Sequence, residues 1–269
     1  MGILNWLFGG KDNVPPTDDS DNDQPHDPPT AQRVAARALA LALVAYRASL
    51  EQAPENPEFQ RFRARLPEWI DALGLAAELE PAEAALLRAP LGRADRKVVT
   101  NSGWRTEGLA VLSWAMARFD LPGYDSLADP RAATASVGSS EEKLAAMDTA
   151  EARELLANAK LGSPGAIAFF ASHITVVGWR LRQFRLAPGP MDYASYLRQH
   201  PAFKQHWLEN DGIIDGDLAL GEWAISSAPA DFVATCEGSA DERRIAAYWL
   251  QGDNPIYSKV DPSTLLTCA

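Results

Sequence analysis

Arg105 and Glu107 stand in SGWRTEGLAVLSWAMARFD, residues 102–120, beside Trp104, Trp114, Leu109, Leu112 and Met116. Ionic side chains in such company suggest two chemistries. A carboxylate held between tryptophans has its charge disfavoured by burial, so its pKa rises and it can act as a general acid or base. The other reading is structural: the carboxylate meets an arginine and ties two core helices together, because an unpaired buried ion is strongly destabilising.

Helical geometry decides what the two charges can reach. At about 100° per residue, Trp104, Val111, Trp114 and Arg118 fall within roughly 60° of Glu107, whereas Arg105 lies about 160° away, beside Leu109, Leu112 and Met116. Arg105 and Glu107 therefore do not pair with each other, since residues i and i+2 never face. The remaining arc holds Thr106, Ala110, Ser113 and Ala117, small enough for another helix to approach closely. Arginines in comparable settings are Arg180, Arg182 and Arg185 in VVGWRLRQFRL and Arg243 and Arg244 near the C-terminus. The expected buried polar network is Arg105, Glu107, Arg182, Arg185, Arg243 and Arg244. A Glu107–arginine bridge is the primary reading, and a pocket where Arg105, Glu107, Arg182 and Arg243 converge is the catalytic alternative.

Other chemistry-bearing residues lack the spacing that a site requires. Asp211, Asp215, Asp217 and Glu222 form no calcium loop, because Ile213 and Ala219 interrupt the alternation of oxygen ligands, and turn and hairpin roles suit them better. His173 lies in an apolar helix and reads as a hydrogen-bonded core histidine. His200 and His206 flank a Phe/Trp segment without HExxH spacing, so no metal site is expected. GxSxG, GxxxxGKS and GxGxxG are all missing, Ser163 in LGSPG reads as a loop serine, and no cofactor is expected.

The elements that must position these residues are almost all helical. QRVAARALALALVAYRASLEQ, residues 32–52, predicts a buried helix whose longest uncharged run, Ala38 to Tyr46, is too short to cross a membrane. Phe59, Phe62 and Leu66 mark a short helix, and Pro67 predicts the first turn of the next, carrying Trp69, Ile70 and Leu73. Pro81 opens PAEAALLRA in the same way, before a turn over 90–92. A long central helix follows from about Asp95 to Phe119, ended by Leu121-Pro122-Gly123. Ser139 and Glu142 form a capping-box pattern ahead of a helix to about Lys160, broken by GSPG, and Ala166 to Leu186 is again helical, ended by PGP. Leu218 and Leu220, a turn at Gly221-Glu222, then Trp223 and Ile225 predict a β-hairpin over about 213–225. Ser239 and Glu242 predict a second capping box before a last helix that Gly252 ends. The fold class is mainly α: residues 31–269 form one multi-helix domain around the 95–119 helix, with one small hairpin.

Composition bounds the partners. The 269 residues carry a net charge of −11, which disfavours nucleic acid and anionic membranes and suits basic or uncharged partners. Residues 11–30, KDNVPPTDDSDNDQPHDPPT, hold six aspartates, five prolines and one apolar side chain, too little to repay ordering, and are expected to be a disordered acidic linker. Residues 1–30 carry one lysine against six aspartates, a net of −5, leaving −6 for the rest. The preceding tip, MGILNWLFGG, lacks the basic residue and cleavage site of a secretory signal, and Trp6 occupies the Ser/Thr position of a myristoylation motif. As a helix, Ile3, Leu4, Leu7 and Phe8 share a face beside Trp6, suited to a groove on a protein partner or to weak peripheral membrane contact. An integral membrane protein is not expected. Cys236 and Cys268 have no CxxC companion, which fits a reduced cytoplasmic protein and leaves a disulfide between them open.

Five blocks in order carry a family resemblance: WRTEGLAVLSWAMARFDLP (104–122), ARELLANAKL (152–161), WRLRQFRL (179–186), IDGDLALG (214–221) and DERRIAAYWLQG with the following KVDPST. The chain resembles the domain of unknown function numbered 4272, over about residues 100–269. Gly178 departs from the histidine expected before the tryptophan of the middle block, and Tyr257-Ser258 from a Trp-Asp pair. The resemblance implies a mostly helical bacterial domain and no established activity. The expected function is a non-catalytic partner-binding or accessory factor of the immunity type, with an enzyme using the Arg/Glu pocket as the alternative; the oligomeric state stays open.

Overall fold

The structure is a computed structural model that describes residues 26–199 and 212–261. The apolar tip with Ile3, Leu4, Trp6, Leu7 and Phe8, most of the acidic linker, His200, His206, Asp211 and Cys268 lie outside the described residues.

Four long helices form the frame: α1 (Ala31–Ser49), α4 (Arg96–Ala115), α8 (Pro164–Leu186) and α10 (Ala230–Leu250). They pack in the order α1, α4, α10, α8. α1 is buried along most of its length because alanine, leucine and valine fill it, and the Thr30 hydroxyl caps it by accepting from the Arg33 N–H at 3.3 Å. α4 lies between α1 and α10, so its small arc, Thr106, Ala110 and Ser113, is buried along with Leu109, Val111 and Leu112. Asp95 starts it by accepting from the Lys97 and Val98 N–H groups.

α4 stops at Ala115, four residues short of the expected Phe119. Ala117 adopts a left-handed conformation at φ 55°, and the N–H groups of Ala117 and Arg118 return to the carbonyls of Trp114 and Ser113. That pair of bonds is a Schellman closure, formed here without the usual glycine.

Shorter helices fill the ends. α2 (Pro57–Leu73) runs unbroken through Pro67, correcting the expectation of two helices. Phe62, Leu66, Trp69, Ile70 and Leu73 bury one continuous stripe, which outweighs the hydrogen bond that Pro67 cannot donate. α3 (Pro81–Arg88) starts at its proline, as predicted, inside a reciprocal Glu80/Glu83 capping box.

The expected helix from Ser139 to Lys160 is two, α6 (Glu141–Ala146) and α7 (Ala150–Asn158), because Met147 turns left-handed and sends its N–H back to Lys143 and Leu144. Ser140, not Ser139, precedes α6, and a short α5 (Pro130–Ser136) comes before it. α9 (Tyr193–Gln199) follows α8.

The hairpin predicted over 213–225 is present and gains a strand: β1 (Ile213–Ile214), β2 (Asp217–Leu220) and β3 (Trp223–Ala224) pair antiparallel in that order. Asp215 (φ 53°) and Gly216 (φ 81°) form the first two-residue turn, both left-handed as a type I′ turn requires. Gly221 opens the second, between Leu220 and Trp223.

α10 begins at Ala230, some nine residues before the expected capping box, because Val233, Cys236 and Ala240 extend its buried stripe backward. Gly252 (φ 84°) closes it with its N–H on the Trp249 carbonyl, as the sequence predicts. One large apolar cluster joins α1, α4, α7 and the C-terminal half of α10, and a second joins α8, α9, the sheet and the N-terminal half of α10. No helix among the described residues is long and apolar enough to cross a membrane.

Candidate functional site

Glu107 faces α10 from the middle of α4. Its Oε2 accepts from Arg243 Nε at 2.8 Å and Nη2 at 2.7 Å, and from the Ser239 hydroxyl at 3.0 Å, while Oε1 accepts from the Ala128 N–H at 2.9 Å. Arg243 also donates from Nη1 to the carbonyls of Pro122 and Gly123, each at 3.0 Å, and from Nη2 to that of Ser126 at 2.7 Å. Every nitrogen of the guanidinium thus has an acceptor. Both side chains are sealed, Glu107 at 3% and Arg243 at 1% exposure. The residues read as a capping box serve this interior instead: Ser239 bonds Glu107, and Glu242 meets Arg105.

Arg105 points to the other side of α4, as the helical angles require. Its Nη1 donates to both Glu242 oxygens at 2.9 Å, and the Tyr257 hydroxyl donates to Glu242 Oε1 at 3.0 Å. The Tyr257 ring lies between two guanidiniums, with Arg37 Cζ 4.6 Å and Arg105 Cζ 5.3 Å from its centroid. Arg37 then grips Glu83 with both terminal nitrogens, at 2.8 and 2.5 Å. A buried chain of charge and aromatic face therefore links α3, α1, Tyr257, α10 and α4. Burial works against the charge on Arg105, but Glu242 beside it outweighs that and holds its pKa above the ordinary value. Burial pushes the Glu242 carboxyl up, opposed by Arg105 and the Tyr257 hydroxyl. We take the pair as ionised, because three donor contacts converge on the carboxylate. Gly108 makes this junction possible: a Cβ there would collide with the Tyr257 hydroxyl and come within 2.8 Å of Glu242 Oε1.

The other arginines go separate ways. Arg180 forms a two-pronged bridge to Asp217, Nε to Oδ1 at 2.8 Å and Nη2 to Oδ2 at 2.6 Å, with side chains 0% and 1% exposed. Asp217, read as a hairpin residue, therefore also anchors the sheet to α8. Arg244 is buried beside Gly178, where a Cβ would stand 2.8 Å from its Nη1, and it meets Asp241 at 3.3 Å. The position where the resemblance expects histidine is thus taken up by this guanidinium. Arg182 is half-buried near Asp241 and Arg244. Arg185, expected in the buried network, stands at the surface with a 53% exposed side chain, bridging Glu237 at 2.8 Å. It lies in the last turn of α8, past the buried stripe. Arg105, Glu107, Arg182 and Arg243 do not converge on one pocket.

Two clefts are lined by described residues. The larger, about 770 Å³, lies where α1, α2, α5 and α6 meet, with Tyr46, Phe59, Thr106, Arg131, Glu141 and Glu142 in its lining. The smaller, about 570 Å³, is lined by Trp114, Tyr124, Phe169, Phe170 and His173 and borders the Glu107 junction at Arg243, which is itself 1% exposed. Burial holds His173 well below the usual range, at about 4, so the ring is neutral; it stacks on Phe169 at 6.5 Å between centroids. Burial also pushes the Cys236 thiol up to about 11, the opposite of an activated nucleophile. No group of three or more His, Cys, Asp or Glu among the described residues could hold a metal ion.

Sequence reasoning missed the Tyr257 junction and the Arg37–Glu83 pair. Arg37 carried a signal, a charge set among the alanines, valine and leucines of α1, but its partners lie 46 and 220 residues away.

The family described as Domain of unknown function (DUF4272) matches the chain over residues 9–212, and the chain belongs to that family. The matched span begins well before the expected residue 100 and ends before the blocks at 214–221 and 241–252. No curated protein and no solved structure matches the chain.

Proposed function

We propose that this member of the family is a non-catalytic partner-binding protein, an accessory factor of the immunity type acting in the cytoplasm. The observation that carries this reading is the sealing of Glu107 and Arg243. A catalytic carboxylate must reach a substrate atom, whereas every oxygen of Glu107 is engaged inside the protein and the residue is 3% exposed. The net charge of −11 favours a basic or uncharged partner, and Ile3, Leu4, Trp6, Leu7 and Phe8 supply an apolar contact in the sequence.

Affinity purification from the native cell with mass spectrometry, using the full chain and a deletion of residues 1–10 side by side, tests this. A stoichiometric protein recovered by the full chain, and recovered less by the deletion at unchanged melting temperature, is the expected result. No protein partner, with a small molecule carried through purification, would favour an enzyme and overturn the reading.

A further inference from the structure

The larger cleft brings together two hydroxyl-bearing side chains, and one of the hydroxyls is buried without a hydrogen bond among the described residues. Thr106 lines it from α4 and is 7% exposed. Tyr46 lines it from α1, and its buried hydroxyl has no hydrogen bond among the described residues. Packing does not need the Tyr46 hydroxyl, since phenylalanine would fill the same space without an unmet polar atom. Buried polar groups left unmatched call for a specific explanation, and a ligand that completes them is one.

The charges around the cleft select the ligand. Asp129, Glu141 and Glu142 line it against a single guanidinium among the lining residues, Arg131; a backbone N–H bond and the Ser140 hydroxyl, with Arg131 after them, favour the ionised form of Glu142. Glu58 stands near enough to act on the Tyr46 hydroxyl together with Glu141 and Glu142. An anion is repelled here, and a purely apolar ligand leaves the Tyr46 hydroxyl unmet. The walls, however, are apolar: Ala45, Leu50, Phe59 and Pro130, with the Tyr46 ring held edge-on against Phe62 at 6.0 Å. A hydrocarbon stem carrying a cationic head matches both parts, since aromatic faces attract cations and hydroxyl oxygens accept from N–H donors.

We propose that this cleft binds an arginine or lysine side chain of the protein partner, its stem against Leu50 and Phe59 and its head on Tyr46, Thr106 and the Glu141/Glu142 carboxylates. The partner as the source of the cation rests on the partner-binding reading above; the chemistry of the cleft does not.

The test is an NMR titration of the full chain with Nα-acetyl-arginine amide, and with the citrulline counterpart that keeps the shape and loses the charge. Saturable binding with shifts at Tyr46 and Thr106 is expected, weaker by about tenfold for the citrulline probe and for Glu141→Gln/Glu142→Gln. Thr106→Val and Tyr46→Phe each weaken binding at unchanged melting temperature, while Glu154→Gln, at an exposed carboxylate away from the cleft, leaves it unchanged. Equal binding of both probes, no saturable binding, or an equal effect of Glu154→Gln overturns the assignment. Affinity purification with the same variants separates the two readings. Partner recovery without probe binding removes the cleft and leaves the partner; probe binding with no protein recovered removes the partner as the source.

Discussion

Glu107 Oε2 and Arg243 Nη2 lie 2.7 Å apart between α4 and α10, and the same guanidinium holds the carbonyls of Pro122, Gly123 and Ser126. One residue thereby fixes two long helices and the segment that leaves α4. Such a pair is costly to break from one side, because the surviving charge stays buried. Donor contacts on both oxygens of Glu107 and acceptors at every nitrogen of the Arg243 guanidinium make it a junction of structure.

The Arg105–Glu242–Tyr257 junction depends on the missing side chain of Gly108. Gly108→Ala is expected to lower stability by about 1–3 kcal/mol, because the new methyl displaces the Tyr257 hydroxyl and the Glu242 carboxylate. Urea denaturation followed by circular dichroism reads this directly; a gain in stability, as alanine gives in an open helix, would contradict the junction.

Asp217 holds β2 to α8 through Arg180. Asp217→Asn removes the charge and leaves Arg180 buried without its counter-ion, at a cost of about 3 kcal/mol. Hydrogen exchange should accelerate first at the amides of β2 and β3, with α1 and α4 protected for longer. Uniform acceleration along the chain would mean that the bridge does not act locally.

His173 makes stability depend on pH. Its folded pKa, about 4, lies below its ordinary value of 6.5 because burial disfavours the charged ring. The unfolded chain therefore takes up a proton first as the pH falls, and stability drops through the window from 6.5 to 4. The full effect of this one residue is roughly 3 kcal/mol. Melting temperatures at pH 7.5 and 4.5 should differ less in His173→Leu than in the parent chain. An identical difference in both would contradict the neutral buried ring.

Periodicity made the long helices and the hairpin legible, because an apolar stripe and a two-residue turn are local properties. Helical angles also separated Arg105 from Glu107 correctly. What stayed hidden was non-local or competitive. Ser239 and Glu242 match a capping box letter for letter, but Val233 and Cys236 continue the buried stripe and turn both into core residues. Pro67 signals a helix start, yet the stripe from Phe62 to Leu73 overrides it. Met147 breaks a helix without glycine or proline to announce it. The partner of a buried arginine is not readable from spacing at all: Arg37 chose Glu83, Arg180 chose Asp217, and Arg185, in the same block as Arg180, reached solvent.

The central claim is that Glu107 is a structural anchor. Equilibrium denaturation of Glu107→Gln beside the parent chain tests it most directly. A loss of about 3–5 kcal/mol is expected, because Arg243 keeps its buried charge without a counter-ion. Unchanged stability, together with loss of the protein's cellular effect, would contradict it and return Glu107 to the role of an acid or base.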